Sequence, residues 1–206
     1  MEAIAEEVLE FWFGDDLGSP RTIAGRGALW FGSDPKFDEE IRRRFGSLPE
    51  RAAESEFDAW TNQPRSALAL VLSLDQFPRN LFRGSAQAFL YDTRACSIAL
   101  ASIESGFDQM LHPIEALFLY LPLEHAENLD LQNRCVALME KLASRAPTQL
   151  SQAFAGFSDY ARRHRDIIQR FGRFPHRNKA LGRTSSPEEV AYLAAGGETF
   201  AGPNAR

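Results

Sequence analysis

An all-α fold, one domain of antiparallel helical hairpins stacked on one another, is what this sequence predicts, and three observations predict it. Apolar residues recur at helical spacing through most of the 206 residues. No stretch alternates with period two in β-branched residues, so no substantial sheet is expected. Helix start and stop signals succeed one another at short intervals, and short connections make successive helices antiparallel neighbours. No low-complexity linker divides the chain. Residues 1–206 are therefore expected to form a single all-helical domain, with the Gly-rich tail from about 196, "GGETFAGPNAR", loosely ordered or draped over the surface.

Ile4, Val8, Leu9 and Trp12 trace one face of a first helix. In "SDPKFDEEIRRRF", Ser33 or Asp34 offers a cap, Pro35 sits in the first turn, and Phe37, Ile41 and Phe45 recur at steps of four. "NQPRSALALVLSLDQF" repeats the pattern with Asn62 as cap and Pro64 in the first turn. Its run from Ala67 to Leu72 is apolar all round, which marks a helix buried on most sides. Further helices are expected at about 92–105, 113–121, 128–145 and 149–171. A last one starts at "SSPEEV", where Ser186 and Glu189 have capping-box spacing. "FWFGDD" at 11–16 and "LWFGSD" at 29–34 are near-repeats, read as structural punctuation: an aromatic pair, a glycine that permits a turn, and acids that cap the next segment.

Composition narrows the function classes. Hydrophobic content of 44% and charged content of 25% are ordinary for a soluble globular protein. Sixteen phenylalanines and three tryptophans point to a filled aromatic core or a ring-lined groove. Net charge of −5 does not favour wholesale binding to nucleic acid. Cys96 and Cys135 are the two cysteines, both in apolar helical contexts, and read as buried reduced thiols. The acidic start "MEAIAEEVLEFWFG" does not resemble a signal peptide and no apolar run approaches a membrane span, so a cytoplasmic protein is expected. Charge is unevenly placed: Arg162, Arg163, Arg165, Arg170, Arg173, Arg177, Lys179 and Arg183 crowd a segment opposed only by Asp159 and Asp166. This basic third either docks on the acidic body or forms a local anion site.

The most specific internal echo is "QFPRN" at 76–80 against "RFPHRN" at 173–178. Proline should end the helix at Pro78 and push Phe77 toward an extended conformation. Asparagine tolerates the left-handed conformation that a turn needs. The arginines would then be held on rigid corners. If the two corners meet, Arg79, Arg173, Arg177 and Arg183 can surround a carboxylate or phosphate, since a guanidinium presents a planar fork to such groups. Asp75, Asn80, Arg83, His164, His176 and Asn178 complete the candidate ligand-binding set. The structural alternative is that both corners merely end helices and their arginines pair with Asp75 and nearby acids.

"LPLEHAENLDLQ" is the second polar concentration. Pro122 should break the preceding helix, and His125 stands among Glu124, Glu127, Asn128 and Gln132. If a turn intervenes, His125 and Glu127 can approach one another as an acid–base pair, histidine being the side chain that titrates near neutrality. The alternative is a satisfied histidine fixing a helix corner. His164, at helical spacing from Ile167, Ile168 and Phe171, reads as a part-buried histidine bonded to a neighbour. His125, His164 and His176 match no close-set zinc pattern, and no phosphate loop, serine elbow or dinucleotide fingerprint occurs, so neither metal nor cofactor is expected.

With these motifs in place, the chain resembles the mainly bacterial Domain of Unknown Function 924 family. "VLEFWFG", "WFGSDPKFDEEI", "LSLDQFPRNLFRG", "LYLPLEHAENLDLQ" and "HRDIIQRFGRFPHRNKALGRTSSPEE" carry the resemblance, in order, along nearly the whole chain. Ala126 departs from the pattern, which has serine in many relatives. The resemblance implies a helical fold similar to a tetratricopeptide-type superhelix and carries no activity with it. Three functions stay open: a binding module for an anionic small molecule or acidic peptide terminus; an enzyme, hydrolytic for instance, in which His125 moves protons, Glu127 or Asp75 orients it and arginines stabilise negative charge; and nucleic-acid binding through 159–183, which the acidic body disfavours.

Overall fold

The computed structural model describes residues 2–200; the end of the Gly-rich tail, 201–206, lies outside them. Ten α-helices and no strand occur among the described residues. In chain order they are α1 (Glu2–Phe13), α2 (Pro20–Phe31), α3 (Pro35–Phe45), α4 (Leu48–Ala53), α5 (Pro64–Leu81), α6 (Asp92–Glu104), α7 (Pro113–Glu124), α8 (Leu129–Arg145), α9 (Ser151–Phe171) and α10 (Pro187–Ala194). Starts are written in local chemistry. Asp34 accepts from the N–H groups of Lys36 and Phe37 ahead of Pro35, and Ser186 and Glu189 form the expected capping box. Asn62 does not cap α5: it lies in the short 3₁₀ turn Asp58–Asn62, and Gln63 holds the cap position with no side-chain bond.

α5 is the central post. Every residue from Ala67 to Pro78 is buried, and the helix is enclosed by α1, α3, α4, α6 and α7. From α5 onward each helix packs on the next, α5 on α6 through to α8 on α9, an order that fits a stack of hairpins. The two aromatic near-repeats meet in the core. Trp12 and Phe13 close α1, Trp30 and Phe31 close α2, and all four rings lie around Phe118 of α7 at centroid distances of 5.6, 5.4, 4.9 and 6.0 Å. The indole N–H of Trp30 donates to the Trp12 carbonyl over 2.9 Å, locking α2 to α1. Each repeat needs its glycine for a different reason: Gly14 sits at φ +69°, whereas Gly32 is extended and a Cβ there would lie 2.1 Å from the Ala28 carbonyl oxygen. Cys96 and Cys135 are free and buried. No described helix is long and apolar enough to cross a membrane.

Two proline expectations are corrected. α5 runs through Pro78 to Leu81, and α7 runs through Pro122 to Glu124. Each proline removes one helical rung, but Phe77 is wholly buried and Phe82 N–H still bonds the Pro78 carbonyl, so packing on all sides holds the helix where the local rule would end it. Nor does either asparagine adopt a left-handed turn: Asn80 is inside α5 and Asn178 has φ −56°, ψ −45°. The left-handed residues lie on either side of the second motif: Gly172, which stops α9 at φ +70°, and Gly182 at φ +64°.

Phe118→Ala removes the ring that joins both aromatic motifs and should cost about 3–5 kcal/mol in denaturant unfolding. Phe31→Ala, at a ring 40% exposed, should cost much less; equal losses would show that Phe118 is no hub.

Candidate functional site

Asp75 lies on the penultimate turn of α5 and is fully buried. Three donors surround its carboxylate. His125 Nδ1 is 2.8 Å from Oδ1, the Gln76 amide donates to Oδ2 over 2.6 Å, and Arg79 NH1 lies 3.2 Å from Oδ1. A carboxylate only accepts, so His125 carries its proton on Nδ1 and presents the Nε2 lone pair. Nε2 has no hydrogen-bond partner among the described residues, and the side chain is 14% exposed. Burial opposes the Asp75 charge, but Arg79 and His125 outweigh it and keep the carboxyl ionised below the usual range. Burial and the Arg79 charge hold His125 neutral, against the pull of Asp75.

Arg79 has a further partner that the sequence did not mark. Its two terminal nitrogens grip Asp92, at the start of α6, over 2.8 and 2.9 Å. Arg177, from the short 3₁₀ turn Pro175–Arg177, reaches the same place. It donates to the His125 carbonyl over 3.0 Å, stands 3.6 Å from Asp92, and is clamped between the rings of Phe89 at 4.7 Å and Phe174 at 4.4 Å. The two Phe-Pro motifs therefore do converge on Asp92, though by a helix interior on one side and a turn on the other. Arg177 is left short of negative charge: it is buried, its Nε has no partner, and burial together with Arg79 pushes its pKa down to about 10.

Two more histidines adjoin. The His164 ring centroid lies 6.4 Å from that of His125, and its Nδ1 is 3.0 Å from the Tyr160 carbonyl, the bonded helix histidine expected from its spacing. Its Nδ1 also lies 3.4 Å from Glu124, which is buried at the end of α7; desolvation, reinforced by Asp75, pushes that carboxyl up to about 8. His176 has a buried Nδ1 without a partner, and burial and Arg177 push its pKa down to about 3. No cluster of three or more metal-ligating side chains able to hold an ion occurs among the described residues.

The remaining predicted residues are engaged elsewhere. A turn does separate α7 from α8, yet Glu127 faces away from His125. It accepts from the Phe174 N–H and from Arg183, over 2.8 and 2.9 Å, so Asp75 and not Glu127 is the partner of His125. Arg173 forms a two-point pair with buried Glu189 over 2.7 and 2.8 Å; Asn178 also bonds Glu189 and accepts from Arg183. These four side chains fasten the 173–183 turn to α10 and to the turn before α8. Asn80 and Arg83 lie on another face, where both bond Asp38 beside a cleft of about 440 Å³. Sequence reasoning missed Phe89, Asp92 and Tyr160, whose only signal was an acid in the first turn of a helix and two scattered rings.

Residues 8–197 match the family described as bacterial protein of unknown function, DUF924. The chain belongs to the DUF924 family. Its fold is similar to the solved structure of the protein of unknown function ATU0120 from Agrobacterium tumefaciens, at 38% identity and a TM-score of 0.79, over 94% of this chain and 98% of that one. No curated protein matches significantly. The matched span of this DUF924 chain takes in Asp75, Arg79, Asp92, His125, His164 and Arg177 together.

Glu124 generates a test of this electrostatic picture. A carboxyl raised in the folded state stabilises fully below its unfolded pKa and loses that stability as pH rises toward the folded value, here about 8. The depressed histidines act oppositely, but only below about 6.5. Between pH 6.5 and 8, Glu124→Gln should therefore gain on wild type by roughly 1.4 kcal/mol per pH unit in urea unfolding. Parallel pH curves for the two proteins would show that Glu124 is not buried neutral.

Proposed function

We propose that this DUF924 protein binds a small anion, a metabolite carboxylate or phosphate or an acidic peptide terminus, at Arg177 with His125 and His176 beside it. The carrying observation is the charge imbalance at Arg177. One carboxylate, Asp92, stands between two guanidinium groups and gives both oxygens to Arg79. Arg177 keeps a buried, unpaired Nε and its nearest carboxylate oxygen at 3.6 Å. A desolvated cation held planar between two rings loses little entropy on meeting a ligand, and an incoming anion supplies the charge that the fold withholds.

The Asp75–His125 hydrogen bond favours a second reading built on the first. A carboxylate behind Nδ1 fixes the tautomer and leaves Nε2 as a base, the orientation used in acyl and phosphoryl hydrolysis. On a bound ester, a water would attack the carbonyl or phosphoryl centre and give its proton to Nε2. His125 would then return that proton to the departing alkoxide, with Arg177 beside the developing negative charge.

Inorganic phosphate should raise the melting midpoint of wild type with concentration, by mass action. Arg177→Ala should abolish that response, and Arg177→Lys, which keeps the charge without the fork, should retain part of it. Equal responses in wild type and both variants would remove the site from Arg177. For the second reading, His125→Gln should keep phosphate binding and lose at least 100-fold in turnover of any ester the wild type cleaves; unchanged turnover would make His125 a structural histidine.

A further inference from the structure

The last described residues return over the site. Gly196 ends α10 at φ +79° and Gly197 N–H bonds the Tyr192 carbonyl, so the chain doubles back across α9. There Glu198 pairs with Arg163, and Phe200 lays its ring flat on His164, with centroids 3.5 Å apart and planes 16° from parallel. Three other rings stand edge-on around it: Tyr160 at 5.2 Å, Phe174 at 6.1 Å and His176 at 6.0 Å. Phe200 is thus boxed by four rings, one flat and three edge-on.

The box and its occupant differ in how they are held. His164 and Phe174 are buried, and His164 is further tied through Nδ1 to the Tyr160 carbonyl. Phe200 is only half-buried, sits at φ +51°, a left-handed conformation that a bulky side chain seldom takes, and hangs from a pair of glycines. The polar atoms beside the box gain nothing from it. Buried His176 Nδ1 and buried Arg177 Nε both lack partners, and Arg177 stacks on the same Phe174 ring that walls the slot. Phenylalanine fills the aromatic half of a site and has no group for the cationic half.

We infer that Tyr160, His164, Phe174 and His176 form an aryl subsite adjoining Arg177, and that the ligand is a small aromatic acid, an aryl carboxylate or aryl phosphate, whose ring takes the place of Phe200. The anionic half of this inference rests on the binding reading above; the aryl half rests on the box alone. A flat ring over imidazole with edge-on neighbours is the arrangement that aromatic side chains and aromatic ligands share. His176 stands 6.0 Å from the ring and Arg177 stacks on the Phe174 wall, so an acid group carried on that ring has both as neighbours of its subsite.

NMR titrations monitoring the His164 ring protons test it, with benzoate, acetate, phosphate and benzyl alcohol as probes and wild type, Phe200→Ala and Phe200→Ala/Arg177→Ala as hosts. Emptying the box should raise benzoate affinity at least tenfold over wild type and leave phosphate affinity unchanged. Benzoate should bind Phe200→Ala at least tenfold tighter than acetate, its counterpart without the ring. Benzyl alcohol, which has the ring without the charge, should shift His164 in both variants and leave wild type unmoved. Equal benzoate affinity in wild type and Phe200→Ala, benzoate no tighter than acetate, or no benzoate binding at all overturns the inference. The two readings fail separately. Phosphate binding that needs Arg177, without any preference for the ring, leaves the anion site and removes the aryl subsite. Benzyl alcohol binding with no response of any anion to Arg177 leaves the box and removes the aromatic acid.

Discussion

A carboxylate without access to water, at Asp75 on the penultimate turn of the most enclosed helix, sets the terms for everything around it. An ionised group there is tolerated only if charge and hydrogen bonds replace its hydration. Gln76 and Arg79 supply part of that from α5 itself, and His125 supplies the rest from the end of α7. Arg79, its side chain only 18% exposed, draws on Asp92 from α6. Because Asp92 is spent on Arg79, Arg177 arrives from the 175–177 turn with only a carbonyl to bond. One buried charge thus orders four segments and leaves its last link unbalanced. In a chain of compensations of this kind, loss of one member strands its neighbours, so the links act as a unit.

That logic separates the arginines of the basic third. Arg162 bonds Glu140, Arg170 bonds Glu188, Arg173 bonds Glu189 and Arg183 bonds Glu127. Most of the positive segment therefore docks on acidic partners, the plainer of the two expectations raised by its composition. Exposed pairs such as Arg162 with Glu140 contribute little to stability, whereas Arg173 with Glu189 secures a turn, because that acid is buried and also caps α10. Arg177 is the exception among these arginines, and it differs by burial, not by sequence neighbourhood or by stacking, since Arg163 and Arg170 also lie over rings.

How much of this was legible depends on the range of the interactions. Asp34 before Pro35 and Ser186 with Glu189 are contacts within one turn, so they could be read directly. The uniform apolar run from Ala67 to Leu72 announced a helix buried on most sides, and the structure encloses it through Pro78. The same enclosure defeated the proline rule at Pro78 and Pro122, because packing outweighed one lost rung. α2 is hard to see in the sequence because its glycines weaken the helical pattern, and only its end motif stands out. At the site, His125, Arg79 and Arg177 could be named from their motifs, but their partner Asp92 could not. Nothing local distinguishes it from any other acid at a helix start; what sets it apart is a helix packed 13 residues after Arg79. His125 with Glu127 was a plausible local pair, and it lost to Asp75, 50 residues away, because the buried charge had the greater need.

The tail brings the same logic to its end. An aromatic box can be built only from rings that something else holds in place, and three of the four walls here are held by a demand already described. Phe174 is seated by the Glu127 bond to its N–H and stacked on Arg177; His164 is fixed on α9 through the Tyr160 carbonyl. His176 is carried on the turn that Glu189, Asn178 and Arg183 brace. Phe200 contributes to none of these bonds. The box would keep its shape with the ring withdrawn, which is the property that makes a preorganised site and distinguishes it from a patch of core that one side chain happens to complete.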